Sequence, residues 1–182
     1  LLRHGAPEQP GLFMGSSDGA PSAEGIRACV AQAAAIEVER LVASDLQRCA
    51  RAAEAIGKAL TVPPERDPRW RELDFGDWEG QAASALDSDA LGRFWADPDA
   101  NPPPGGERWS SLAARVSDAI DRLTPVDTLV VTHGGAMRAA LNHLCGFDQR
   151  QLWAFDLPYG ALLSFRVWRG EASGAQIVGL RV

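Results

Sequence analysis

Leu129-Val130-Val131-Thr132-His133-Gly134-Gly135 is an apolar run of strand type that ends in a histidine followed at once by glycine. The chain spells nearly the same phrase at Leu1-Leu2-Arg3-His4-Gly5. In open α/β sheets the ligand binds beyond the carboxyl ends of the strands, so both imidazoles are expected at the end of a sheet where sites are built. The glycines permit a sharp turn or a close backbone approach to a ligand. There are three histidines in all, and two stand in this setting, which sets them apart from a single hydrogen-bonded histidine at a strand end. Imidazole is also a common zinc ligand. Against that, Arg3 beside His4 would repel a dication, and neither histidine has a Cys-x-x-Cys or His-x-x-x-His companion. The fork of donors on a guanidinium suits a phosphate better.

Outward from these two phrases, strand and helix signals alternate. Leu1–Arg3 reads as the end of a first strand, and the loop from Ala6 to Ala20 is long and rich in Gly and Pro, as functional lids are. Ser22 is placed to cap a helix running to about Glu37, with Glu24 suiting the first turn. Arg40–Ala43 follows as a strand, then a helix through Leu60 capped by Ser44 or Asp45, then a turn and a short extended piece to Asp67. A polar helical stretch from Ala82 to Pro98 ends at Asn101-Pro102-Pro103-Pro104-Gly105-Gly106. Arg108–Leu123 reads as an amphipathic helix, Thr128–Thr132 as a buried strand, and Ala136–Cys145 as a helix stopped by Gly146. Ala161–Trp168 and Ala175–Val182 close the chain as an antiparallel pair. The expected fold is α/β: a mostly parallel central sheet with helices on both faces and a small helical cap insertion. The 182 residues fit a single domain, with residues 82–104 as its cap or rim.

Composition narrows the function. A net charge of −6 argues against a nucleic-acid surface, which needs a basic stripe. Positive charge must therefore be concentrated locally if the protein takes an anion. Cys29, Cys49 and Cys145 are odd in number and widely spaced, and they read as small hydrophobes in a reducing compartment. No apolar run approaches membrane-spanning length and no signal peptide is read, so a cytoplasmic setting is expected.

Three further stretches carry candidate chemistry. Ser44-Asp45-Leu46-Gln47-Arg48 turns from strand into helix, where free N–H groups and the helix dipole favour an anion that Arg48 could reach; solvated helix charge is the alternative for Arg48 and Arg51. Glu72-Leu73-Asp74-Phe75-Gly76-Asp77-Trp78-Glu79-Gly80 interleaves carboxylates with large aromatics. That pattern suggests a partly desolvated acid suited to proton donation, or simply a packed loop. Pro104-Gly105-Gly106-Glu107 is a turn before a helix.

Taken together, Arg3-His4-Gly5, Ser44-x-Leu46-x-Arg48, Glu72-x-x-Phe75-Gly76-x-Trp78-Glu79-Gly80, Gly106-Glu107 and Thr132-His133-Gly134-Gly135-x-x-Arg138 occur in an order that resembles the histidine phosphatase superfamily, the phosphoglycerate-mutase-like enzymes. Phe13-Met14-Gly15-Ser16-Ser17-Asp18 and the Pro103–Glu107 turn look most like its α-ribazole phosphatase branch. The chain departs from that branch at Ser16 and Pro21, where an arginine and a leucine are common, and at Ala52, where a threonine is common. It also lacks the continuation of the first motif that mutases have: Ala6-Pro7-Glu8 stands there instead.

The resemblance implies a phosphomonoester hydrolase that needs no metal or other cofactor and acts on a small phosphorylated metabolite. His4 would be the nucleophile. Arg3, Arg48 and His133 would hold the phosphoryl oxygens together with Gly134, and Glu72 would be the proton donor. Arg138 would touch substrate or fix the Gly134-Gly135 turn. Trp78, Trp95 and Trp109 are candidate stacking surfaces, with core packing expected for at least two of them. A mutase-type isomerase and a non-catalytic phospho-ligand-binding module are the other readings of the same residues.

Overall fold

The computed structural model describes residues 1–170 and 174–182. Six strands, β1 (Leu2–Arg3), β2 (Arg40–Ala43), β3 (Pro64–Arg66), β4 (Thr128–Thr132), β5 (Leu162–Trp168) and β6 (Gly174–Arg181), form one sheet in the order β3-β2-β4-β1-β5-β6. The pairs β2–β3, β2–β4 and β1–β4 are parallel, while β1–β5 and β5–β6 are antiparallel. The closing hairpin read from the sequence is therefore the antiparallel margin of an otherwise parallel sheet.

Helices α1 (Ala23–Ala33), α2 (Gln47–Leu60), α3 (Ser88–Ala96), α4 (Trp109–Asp121), α5 (Gly134–Cys145) and α6 (Gln149–Leu152) surround it. Alternation along the strands decides which face each helix covers. Leu129 and Val131 of β4 pack with Leu41 and Ala43 against Cys29 and Ala33 of α1 and Cys49, Ala53 and Ile56 of α2. Val42 and Val130 face the other way, onto Leu112, Val116 and Ala119 of α4 and Ala136, Ala139 and Ala140 of α5. Two apolar layers thus sandwich the sheet, as a parallel sheet requires. No helix of the described residues is long and apolar enough to cross a membrane.

Several boundaries differ from the sequence reading. Ser22 does cap α1, its Oγ accepting from the Gly25 N–H at 2.9 Å, but the helix ends at Ala33 and not near Glu37. The β-branched Ile36 and Val38 beyond it pack on the core in non-helical backbone. Neither Ser44 nor Asp45 caps α2, whose N-cap is Leu46 with no side-chain bond. Ser44 is drawn away to His133 and Asp45 to Arg71. The stretch from Ala82 to Pro98 is a 3-10 turn (Ala83–Ala85) followed by α3, not one helix. Helix α5 begins at Gly134, two residues earlier than read, and stops at Gly146 with φ of 70° as expected. Helix α6, capped by a reciprocal Asp148–Gln151 pair, was not foreseen.

Candidate active site

His4 and His133 leave the carboxyl ends of the neighbouring parallel strands β1 and β4, and the His4 N–H donates to Thr132 O at 2.8 Å. Register alone therefore brings the two rings together, with centroids 5.2 Å apart. His4 is 5% exposed. Its Nδ1 donates to the Gly5 carbonyl at 2.8 Å, which fixes the ring and leaves Nε2 with the free lone pair. Burial, reinforced by the nearby Arg48 and Arg3 charges, lowers its pKa to about 3, so the ring is a neutral base at ordinary pH.

His133 is fully buried and, for the same reasons, titrates well below the usual histidine range. Both its nitrogens are engaged: Nδ1 accepts from Arg48 Nε at 3.2 Å, and Nε2 donates to Ser44 Oγ at 2.9 Å. Arg48 stands beside the histidines, as the motif suggests, and has no exposed surface. Its remaining donors reach the carbonyls of Met14, Gly15 and Ser17 in the loop between β1 and α1.

A cavity of about 290 Å³ opens over His4. Arg3, Glu72, Gly134, Gly135 and Arg138 share its wall with His4. Arg48 and His133 lie behind that wall, with their donors on internal partners. Arg3 donates to Leu157 O at 2.5 Å, and its guanidinium lies 4.4 Å from the centre of the Tyr159 ring. Arg138 is stacked 4.1 Å from the Trp153 ring centre and makes long bonds of 3.3 and 3.4 Å to Gly134 O and Phe155 O. It thus braces the Gly134 turn, and it also borders the cavity.

Glu72 sits at the N-terminus of α5, where its Oε2 accepts the Gly135 N–H at 3.0 Å and its Oε1 the Leu73 N–H at 2.9 Å. A Cβ on Gly135 would lie 2.1 Å from Glu72 Oε1, so the second glycine of the repeat makes room for the carboxylate. The Gly106-Glu107 motif supports Glu72 from below. Glu107 grips Arg115 with two bonds of 2.8 Å, and Arg115 donates to the carbonyls of Arg69, Arg71 and Glu72. Arg115 carried no signal in the sequence beyond being a charged residue in an amphipathic helix.

Most half-buried arginines of this protein are paired with carboxylates, among them Arg40, Arg69 and Arg115. Among the described residues, Arg3, Arg48 and Arg138 form no such pair, and all three gather at His4 and the α5 N-terminus. Uncompensated cations at a helix N-terminus make an anion site on an acidic protein. The rest of the cavity wall, apart from Gln149, is largely apolar and aromatic. Phe13, Phe75, Trp95 and Trp109 line it with Trp153 and Tyr159, which lie in a part of the chain that had shown no motif. Of the tryptophans singled out in the sequence, Trp78 is core and Trp95 and Trp109 border the cavity.

A doubly layered α/β sheet with a neutral, aimed imidazole facing an anion site defines a phosphoryl-handling enzyme. The model of the histidine phosphatase superfamily (branch 1) matches residues 1–178, and the chain belongs to that family, whose phosphatases work without a metal. It is 25% identical over 189 residues to an adenosylcobalamin/alpha-ribazole phosphatase of Salmonella typhimurium, covering 95% of this chain and 92% of the relative. A protein of Mycobacterium tuberculosis described as bifunctional is 31% identical over 170 residues, which cover 89% of this chain but 45% of that relative. A mycobacterial glucosyl-3-phosphoglycerate phosphatase has the same fold, with a TM-score of 0.85 at 24% identity over 97% of this chain and 94% of the other.

Proposed function

We propose that the protein is a phosphomonoester hydrolase acting through a phosphohistidine on His4, with α-ribazole 5'-phosphate as the first candidate substrate. The observation that carries this reading is the state of His4: neutral, on the cavity wall, with Nδ1 tied to Gly5 O and Nε2 free. Nε2 attacks phosphorus while the bond to the leaving oxygen breaks. Arg3, the α5 N-terminus at Gly134 and the buried Arg48 charge offset the charge that builds on the phosphoryl oxygens. Glu72 gives its proton to the departing alkoxide, then takes one from the water that cleaves the phosphohistidine. His133 holds Arg48 in line and closes the back of the site.

The substrate reading has two supports. One is the similarity to a relative named for α-ribazole. The other is the cavity, in which Arg3, Glu72 and Arg138 are grouped with the neutral His4 around the N-terminus of α5. The outer wall of Trp95, Trp153 and Phe13 suits a ring-bearing leaving group. A cytoplasmic setting fits the free thiols of Cys29, Cys49 and Cys145.

The test is phosphate release in the presence of EDTA from α-ribazole phosphate, p-nitrophenyl phosphate and 3-phosphoglycerate, with rapid acid-free quenching to trap phosphate on His4. Turnover of α-ribazole phosphate well above that of the other two is expected. Isomerisation of 3-phosphoglycerate would instead identify a mutase, and binding without turnover a non-catalytic module.

A further inference from the structure

A carboxylate that takes no part in the chemistry above holds the loop behind it. Glu79 Oε1 accepts from the N–H groups of Gly15 (2.9 Å), Ser16 (2.9 Å) and Phe75 (3.0 Å), and Oε2 from Gly15 and Ser17, both at 3.1 Å. The carbonyls of the same short loop turn the other way. Those of Met14, Gly15 and Ser17 accept from Arg48 at 2.9, 2.8 and 2.7 Å. A peptide group directs its N–H and C=O to opposite sides, so a carboxylate on one side and a guanidinium on the other hold the loop as a clamp. Charged partners make each of these bonds stronger than a neutral one. Arg48 in turn spends its Nε on His133 Nδ1, which makes that nitrogen an acceptor and leaves the ring proton on Nε2, toward Ser44.

We propose that Glu79 is a positioning residue: by gathering the N–H groups of residues 15–17 it aims that loop's carbonyls at Arg48, and through Arg48 it fixes the orientation and tautomer of His133 beside His4. The clamp deepens the phosphatase reading and rests on it only for its effect on turnover. The state of the His133 ring follows from the hydrogen bonds whatever chemistry His4 performs. Glutamine is the informative replacement, because its amide NH₂ would face the loop's N–H donors and one of the two acceptor oxygens would be lost. Aspartate keeps both oxygens on a shorter stem.

The experiment labels the protein with ¹⁵N-histidine and reads each ring's tautomer from two-bond proton–nitrogen correlations. Signals are assigned with His143→Gln and His4→Gln. Wild-type His133 should show a protonated Nε2 and an acceptor Nδ1. In Glu79→Gln that signature should give way to mixed tautomers, and kcat on p-nitrophenyl phosphate should fall about 10- to 100-fold, the usual loss when an orienting partner is removed, with KM little changed. Glu79→Asp should restore part of both. A loop that merely shapes the cavity through Phe13 and Met14 would raise KM and spare kcat. An unchanged His133 signature or an unchanged kcat in Glu79→Gln overturns the proposal. If the glutamine variant does not fold, Glu79→Ala, which removes both acceptor oxygens, carries the same comparison and an unaltered His133 signature there overturns the proposal. Wild-type protein without turnover, but with a His133 signature that shifts in Glu79→Gln, would sink the phosphatase reading and leave the clamp standing.

Discussion

His4 and Glu72 divide the proposed reaction between them, and each makes a separate demand on its surroundings. The nucleophile must be an uncharged ring, and the burial that lowers its pKa to about 3 supplies that throughout the physiological range. Glu72 must reach the leaving oxygen, and the Gly135 N–H holds it at the cavity edge. Replacing Glu72 with glutamine should preserve binding of inorganic phosphate or vanadate. Turnover of an alkyl phosphate should then drop by about 10²–10⁴-fold, the usual worth of a general acid. Hydrolysis of p-nitrophenyl phosphate, whose leaving group needs little protonation, should suffer much less. Equal losses on the two substrates would remove Glu72 from the role. His4→Ala should lose at least about three orders of magnitude on both, since a nucleophile has no substitute in the site.

At the scale of elements, the turn after β1 and the first turn of α1 approach each other backbone to backbone. A Cβ on Gly5 would lie 2.0 Å from Gly25 O, so the helix can only settle here against a glycine. Gly5→Ala should therefore cost about 1–3 kcal/mol, as overpacking does, read as a lower urea midpoint. A wild-type midpoint would mean that α1 sits farther from β1 than described.

The same elements show what could be read in advance. The parallel strands, the flanking helices and the pairing of His4 with His133 were legible, because apolar periodicity and strand-end position are local properties; that Arg48 and Glu72 join them was implied only by the resemblance to the histidine phosphatase superfamily. Ser44 was misread for a physical reason: a serine before a helix is an ordinary cap, and only the long-range arrival of His133, 2.9 Å away, redirects its hydroxyl. Nothing local announces either that the Met14, Gly15 and Ser17 carbonyls take donors of Arg48. Trp153 and Tyr159 reach the cavity from a segment with no periodic pattern, so no local rule could place them there.

The whole molecule has an acid-sensitive stability built into its site. His4 binds its proton near pH 3 when folded but near 6.5 when unfolded, and His133 is shifted in the same direction. Between those values the unfolded chain holds more protons, so stability is at its full value above about pH 6.5 and declines as pH falls toward 3. The urea midpoint should accordingly drop between pH 7.5 and 5, where carboxylates still contribute little. His4→Gln should flatten that slope. A midpoint unaffected by this change in pH would contradict the buried, neutral state of the two rings.

Strand β1 is short, and it lies in the sheet between β4 and β5, which are made long after it: Leu2 pairs with Val131 on one side and with Leu162 on the other. During synthesis β1 must therefore wait until first β4 and then β5 have been made. Closing such distant contacts is the slow part of folding. A nascent chain ending at Cys145, the last residue of α5, would already carry Arg3, His4, Arg48, Glu72 and His133, yet it would lack the Leu157 and Ala161 carbonyls that accept from Arg3. The setting of Arg3 beside His4 is thus completed late, by the segment leading into β5 and not by the last of the candidate site residues.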